Sequence, residues 1–252
     1  MLTLPIDGRP IHYLDSRPDE GLPTLLLIHG AGSSHQVWPE AIRNLAGVRV
    51  LALDLPGHGQ SGGPGRRSVG GYVAVVESFM NQLALSGAIV AGHSLGSAIA
   101  LTIAQRSAVP VKGLILLGGS ARMPVGEPLL GGWLAAPEDA AALVADQGFA
   151  ADLPDAAEAV RNELLATGAM TCFGDFLACE RFDFRHNLSA IIQPTLVIAG
   201  DGDRLTPLRF SQSLAAGLPH GRLVTMVGAG HFGLIEQPEE VARLMLEFIG
   251  QV

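Results

Sequence analysis

The chain predicts an α/β fold, a mainly parallel sheet with helices on both faces, and three observations carry that expectation. Strand-length apolar runs alternate with helix-length segments through the first half of the 252 residues. The run Ala88-Ile89-Val90-Ala91 is short, apolar and suited to a buried strand. Directly after it stands Gly92-His93-Ser94-Leu95-Gly96, a glycine-flanked serine between that strand and an apolar helical stretch, Ser97 to Ala104.

In order along the chain, Asp7-Gly8 is a turn pair joining Leu2–Ile6 to Ile11–Leu14 as a hairpin. A strand over Thr24–His29 follows, then a helix from His35 to Leu45, a strand over Arg49–Leu53 and a helix within Tyr72–Leu85. Next come the strand Ala88–Gly92, the helix after Ser94 and a strand over Gly113–Leu117. After Gly118-Gly119-Ser120 the alternation breaks. Residues 121–187 hold no strand-like run but three helix-like ones: Ala140–Gln147, opened by Pro137-Glu138-Asp139; Ala156–Ala166, opened by Pro154-Asp155; and Met170–Phe182. Alternation resumes with strands at Pro194–Gly200 and Arg222–Val227. The expected organisation is one core domain, 1–120 and 188–252, with a helical insertion at 121–187.

Composition narrows the function classes. Apolar residues make up 48% and charged residues 16%, which suits a large buried core and not a disordered chain. The net charge is −8, a single lysine (Lys112) occurs, and no basic run could track a phosphate backbone, so nucleic acid is excluded as a partner. Met1 to Gly8 lacks the basic start and apolar run of a signal peptide, and no stretch reaches the ~18 apolar residues of a membrane span. The expectation is a soluble, cytoplasmic protein with no membrane partner; no residue pattern specifies an oligomeric state. Cys172 and Cys179 sit seven apart on one expected helix, about 10 Å along its axis, too far to bridge. They read as buried apolar residues. No metal cluster, P-loop or dinucleotide fingerprint occurs, so no metal and no cofactor is expected.

The chemistry begins at Ser94. Glycines two positions either side let helix and strand approach while the turn lifts the serine clear of the sheet edge. The pentapeptide alone is weak in a chain with 32 glycines; its context matters more. A serine nucleophile needs a base, and the base an orienting acid. Asp201 and Asp203 follow the strand at Pro194–Gly200, on the rim that Ser94 shares if the sheet is parallel. Gly228-Ala229-Gly230-His231 is a loop presenting a histidine, giving the order serine, acid, histidine.

With these motifs in this order, the chain resembles the α/β-hydrolase superfamily over nearly its whole length. Leu27-Ile28-His29-Gly30-Ala31-Gly32 looks like that family's oxyanion loop, and Asp54-Leu55-Pro56-Gly57-His58-Gly59-Gln60-Ser61 matches its D-x-P-G-x-G-x-S turn. The segment from Gly200 to Pro207 fits G-x-x-D-x-x-x-P, which assigns the acid to Asp203 over Asp201. The resemblance implies a triad of Ser94, Asp203 and His231, oxyanion donors from the backbone N–H groups of Ala31 and Leu95, and a cap made by 121–187 over the substrate pocket. His29, His58 and His93 sit in family motifs with no evident proton to move, and read as structural or loop-bracing; His35 reads as a helix start.

The expected activity is hydrolysis of small, uncharged carboxylic esters. Residues 120–193 carry eleven acids against four arginines, an electronegative roof that would repel anionic substrates. The alternative is enol-lactone or C–C bond hydrolysis of a carboxylated substrate, with Arg122, Arg181 or Arg185 pairing the carboxylate. A non-catalytic ligand-binding role is a third reading, opposed by the complete triad. Dehalogenase chemistry is disfavoured because it uses an aspartate where Ser94 stands.

Overall fold

A computed structural model describes residues 2–16 and 21–252. The strands are β1 (Leu2–Ile6), β2 (Arg9–Asp15), β3 (Thr24–Ile28), β4 (Arg49–Leu53), β5 (Ala88–His93), β6 (Val111–Leu117), β7 (Thr195–Gly200) and β8 (Gly221–Met226). They form one sheet in the order β1-β2-β4-β3-β5-β6-β7-β8. The six strands from β4 to β8 in that order are parallel, and β1 and β2 add an antiparallel edge. Asp7 and Gly8 both have positive φ, the backbone that a two-residue hairpin turn demands.

Leu25 to Ile28 are fully buried and divide between two cores. Leu26 and Ile28 face helices α2 (Val69–Gln82), α3 (Leu95–Arg106) and α8 (Leu208–Gly217), while Leu25 and Leu27 face α1 (Glu40–Arg43) and α10 (Pro238–Ile249), which follows the single turn α9 (Gly233–Glu236). Period-two alternation turns one apolar run into the centre of both layers.

Two elements of the first half depart from the sequence reading. The helix expected from His35 to Leu45 is a 3₁₀ turn, His35–Val37, and the single turn α1, with Trp38 extended between them at ψ 110°. Pro39 forces this, because its ring disfavours helical angles at the residue before it. Helix α2 begins three residues earlier than expected, where the Ser68 hydroxyl accepts the Gly71 N–H and caps it.

Residues 121–187 carry four helices, not three: α4 (Glu127–Ala135), α5 (Pro137–Gly148), α6 (Pro154–Thr167) and α7 (Ala169–Glu180). Their base is closed by an isolated antiparallel bridge between Arg122 and Asp183 and by the Phe184 N–H donating to Ala121 O at 2.7 Å. Among the described residues no helix is long and apolar enough to cross a membrane.

Candidate active site

The parallel register pairs Ile28 with Gly92, His93 with Leu117, and Gly200 with Met226. The loops after β3, β5, β7 and β8 therefore open on one rim, bringing together the stretches around Ala31, Ser94, Asp203 and His231.

Ser94 is the only residue between β5 and α3, at φ +53° and ψ −117°. A non-glycine residue held in such a region stores about 1–3 kcal/mol of strain. The surroundings fix it: its N–H donates to Leu117 O at 2.9 Å, and its carbonyl accepts the Ser97 N–H at 2.8 Å. The flanking glycines are steric necessities. A Cβ on Gly92 would lie 2.1 Å from Gly96 O, and one on Gly96 would lie 2.2 Å from Ile28 O. The N–H groups of Ala31 and Leu95 find no acceptor among the described residues, so both remain able to donate beside Ser94.

His231 Nδ1 lies 2.8 Å from Asp203 Oδ2. A nitrogen against a carboxylate carries the proton, which leaves Nε2 as the acceptor. Asp203 also accepts the N–H groups of Leu205 (2.9 Å) and Thr206 (2.7 Å) on Oδ1. Burial pushes its carboxyl up, but His231 beside it and the bonds from Thr206 outweigh that and hold it below its ordinary value. Asp201 is exposed and accepts the Gly228 N–H at 2.8 Å, away from the histidine.

Thr206 escaped the sequence reading. Its hydroxyl lies 2.7 Å from Asp203 Oδ2 and 3.1 Å from both His231 Nδ1 and Gly118 O, so it braces acid and base together. Its signal was its place three residues after Asp203, where an Asx turn returns the chain to the carboxylate. His93 Nε2 donates to His231 O at 3.0 Å, bracing the histidine loop. Burial, with His231 nearby, drops its pKa to about 3 and keeps it neutral. His29 is also neutral: burial, with His58 beside it, lowers its pKa to about 4, and its Nε2 accepts the Leu55 N–H at 3.0 Å.

Ser94 and His231 line a cavity of about 410 Å³. Its apolar wall comes largely from 121–187, through Met123, Val125, Leu129, Val144 and Phe176. Two loops tie that segment to the rim. Arg204 Nη2 donates to the carbonyls of Asp146 and, at 2.9 Å, Phe149. Glu236 accepts the N–H of Gly230 on one oxygen (2.5 Å) and those of Ala150 (2.9 Å) and Ala151 (3.0 Å) on the other.

Arg122, Arg181 and Arg185 lie outside the cavity lining and are exposed. Arg122 belongs to the base of the insert, Arg181 caps α7, and Arg185 pairs with Asp183 at 2.6 Å on the surface. Among the described residues the arginines that line it are Arg204 and Arg209, and no Asp or Glu does. The electronegative roof expected from the charge count is therefore not what the cavity presents. The acids of 121–187 are directed elsewhere: Glu180 to the N–H groups of Val125 and Gly126, Glu163 to Ser33 and Ser34, Asp183 to Arg185. Arg209 stacks 4.7 Å above the Phe210 ring and has no ion-pair partner among the described residues. Both cysteines are buried, which pushes their thiols up and leaves them poor nucleophiles. Among the described residues no group of three His, Cys, Asp or Glu is placed to hold a metal ion.

Comparison with known proteins adds a family match. The model described as "Alpha/beta hydrolase family" matches residues 25–244. A 2-hydroxy-6-oxononadienedioate/2-hydroxy-6-oxononatrienedioate hydrolase of Pseudomonas putida is 29% identical over 262 residues, covering 95% of this chain and 91% of that protein. A pimeloyl-[acyl-carrier protein] methyl ester esterase of Aromatoleum aromaticum is 30% identical over 260 residues, covering 90% of this chain and 98% of that protein. Among solved structures, an enol-lactonase from Burkholderia xenovorans LB400 superposes with a TM-score of 0.91 at 23% identity, over 99% of this chain and 100% of that one.

Proposed function

The chain belongs to the alpha/beta hydrolase family, and on that premise we propose that it hydrolyses small carboxylic esters through an acyl-enzyme on Ser94. The observation carrying this reading is the 2.8 Å pair of His231 and Asp203, with His231 lining the same cavity as Ser94. His231 Nε2 takes the hydroxyl proton as the Ser94 oxygen attacks the ester carbonyl carbon. The oxyanion that forms is received by the N–H groups of Ala31 and Leu95, each such donor contributing about 3 kcal/mol. Collapse expels the alcohol, which takes the proton from His231. Water then attacks the acyl carbon, His231 again accepting its proton; collapse breaks the bond to the Ser94 oxygen, which takes that proton back from His231 as the acid departs. Asp203 keeps the histidine in the competent tautomer and stabilises its charged form. Helices α4–α7 act as the cap, and their apolar wall favours a hydrocarbon acyl chain.

A second reading rests on Arg209: an unpaired guanidinium in a lining without acids favours a substrate bearing a carboxylate, as in enol-lactone or C–C bond hydrolysis. The dioate named for the Pseudomonas putida relative is of that kind. The preference for uncharged substrates expected from the charge of 121–187 has no support in the lining.

The test is a hydrolysis panel of p-nitrophenyl esters, lactones and carboxylated diketones, with Ser94→Ala as the control. Ester turnover and fluorophosphonate labelling that both vanish in Ser94→Ala are expected. Labelling of Ser94→Ala at the wild-type rate overturns the assignment.

A further inference from the structure

Gly32 follows the oxyanion residue Ala31, and both of its backbone polar groups are held by helices of the insert. Its N–H donates to Asp175 Oδ2 on α7 at 2.8 Å, and its carbonyl accepts the Thr167 hydroxyl at the end of α6 at 2.9 Å. Gly32 sits at φ +64°, and a Cβ there would lie 2.4 Å from Leu164 and 2.9 Å from the Cys172 sulfur, so the insert rests directly on this backbone. Asp175 is fully buried and takes two further hydrogen bonds, from His58 Nε2 (2.7 Å, also on Oδ2) and from the Tyr72 hydroxyl on Oδ1. Each donor belongs to a different part of the core: the loop after β3, the turn after β4, and α2. His58 Nδ1 meets the Pro56 carbonyl at 3.1 Å, so both ring nitrogens face acceptors and the ring is best satisfied as an imidazolium. A fully buried carboxylate that takes three hydrogen bonds and is paired with an imidazolium ties its donors firmly together.

We propose that Asp175 is a positioning residue for the hydrolysis: through the Gly32 N–H it sets the orientation of the adjoining Ala31 peptide, so the oxyanion donor is held by the insert and not by the sheet alone. This rests on the ester-hydrolase reading above, with Ala31 as a donor. Among the described residues Asp175 is the one acceptor of the Gly32 N–H, while the Gly30 carbonyl, on the peptide that carries the Ala31 N–H, accepts the His29 Nδ1–H at 2.8 Å and a long bond from the Ser33 N–H at 3.4 Å. Freed from Asp175, the Ala31 N–H would keep the hold of His29 on its own peptide but lose the clamp on the next one, and its aim at the developing oxyanion would loosen. Fixed donors are what transition-state stabilisation requires, because a donor that must reorganise during the reaction returns much of its benefit.

The experiment compares p-nitrophenyl butyrate with its thionoester, whose sulfur accepts hydrogen bonds poorly, in wild type, Asp175→Asn, Thr167→Val and Ser94→Ala. In Asp175→Asn we expect kcat for the oxygen ester to fall about 10- to 100-fold, short of the 10²–10³ that follows outright loss of a donor, with KM nearly unchanged. The preference for the oxygen ester over the thionoester should fall at least fivefold. A merely structural role would lower activity on both substrates alike. Thr167→Val removes only the bond to the Gly32 carbonyl and should show the same pattern more weakly; it carries the test if Asp175→Asn fails to fold. A folded variant that keeps the wild-type oxygen-to-thiono ratio overturns the proposal. If Ser94→Ala retains turnover, the hydrolase reading itself fails. If Ser94→Ala is inactive while the ratio is unmoved, only the role of Asp175 is lost.

Discussion

Asp203 Oδ2 and His231 Nδ1 lie 2.8 Å apart, although 28 residues separate them in sequence. Asp201, two positions earlier on the same loop, holds the Gly228 N–H instead. Asp203→Asn should therefore lower kcat by about 10⁴, since the amide favours the wrong histidine tautomer. Asp201→Asn should cost far less, through a loosened loop. Steady-state kinetics on one ester decide the matter, and the opposite ranking would place the acid at Asp201.

Ser94 is held in a strained backbone region, so relaxing that backbone should reveal the strain. Ser94→Gly relaxes the φ of +53° and should gain about 1 kcal/mol, about 2–4 °C in Tm for a chain of this size. Ser94→Ala keeps a Cβ in the same region and should gain nothing. Both should be inactive. A Ser94→Gly protein no more stable than Ser94→Ala would mean that the elbow is unstrained.

Much of this was legible in the chain because it is local. The elbow glycines, the alternation of strands and helices, and the loop bearing His231 each depend on neighbours within a few residues. Helix α4 was not legible: Gly131 and Gly132 stand inside it, and each glycine costs about 1 kcal/mol of helix propensity against alanine. Tertiary packing overrides that cost, with buried Trp133 stacked on Phe176 at 5.5 Å between ring centroids. Asp175 was equally invisible, because its three partners lie 103, 117 and 143 residues away in sequence. Counting the acids of 121–187 gave their sum and not their direction. The cavity lining depends on which way each side chain turns, which is why Arg209 went unnoticed and Arg122, Arg181 and Arg185 were favoured.

Arg209 offers a direct test of substrate charge. Arg209→Ala should lower kcat/KM for a carboxylated lactone at least tenfold, mainly through KM, and leave p-nitrophenyl butyrate almost unchanged. The effect should shrink as salt is raised, because the guanidinium is exposed. Equal losses on both substrates would assign Arg209 a packing role on Phe210.

His58 gives stability a pH dependence of definite sign. Burial works against its charge, yet the charge of Asp175 and the hydrogen bond to it hold the His58 pKa above its ordinary value. Its contribution is therefore complete below about pH 6.5, the ordinary histidine value, and is lost as the pH rises through the elevated folded value. The Tm advantage of wild type over His58→Gln should narrow as the pH is raised above about 6.5. A gap that widens over that interval contradicts a charged His58.

Residues 146–151 answer at once to the Asp203 loop, through Arg204, and to the His231 loop, through Glu236. Substitution along the cavity wall at Met123 or Leu129 alters the shape offered to an acyl chain without touching either tether. A one-residue insertion between α5 and α6 instead pulls on Asp203 and His231 together. The cavity wall at Met123 and along α4 can therefore change without disturbing the Asp203–His231 pair, whereas the length of the α5–α6 junction is tied to it. A laboratory library built to retarget the enzyme should randomise the first region and leave the second alone.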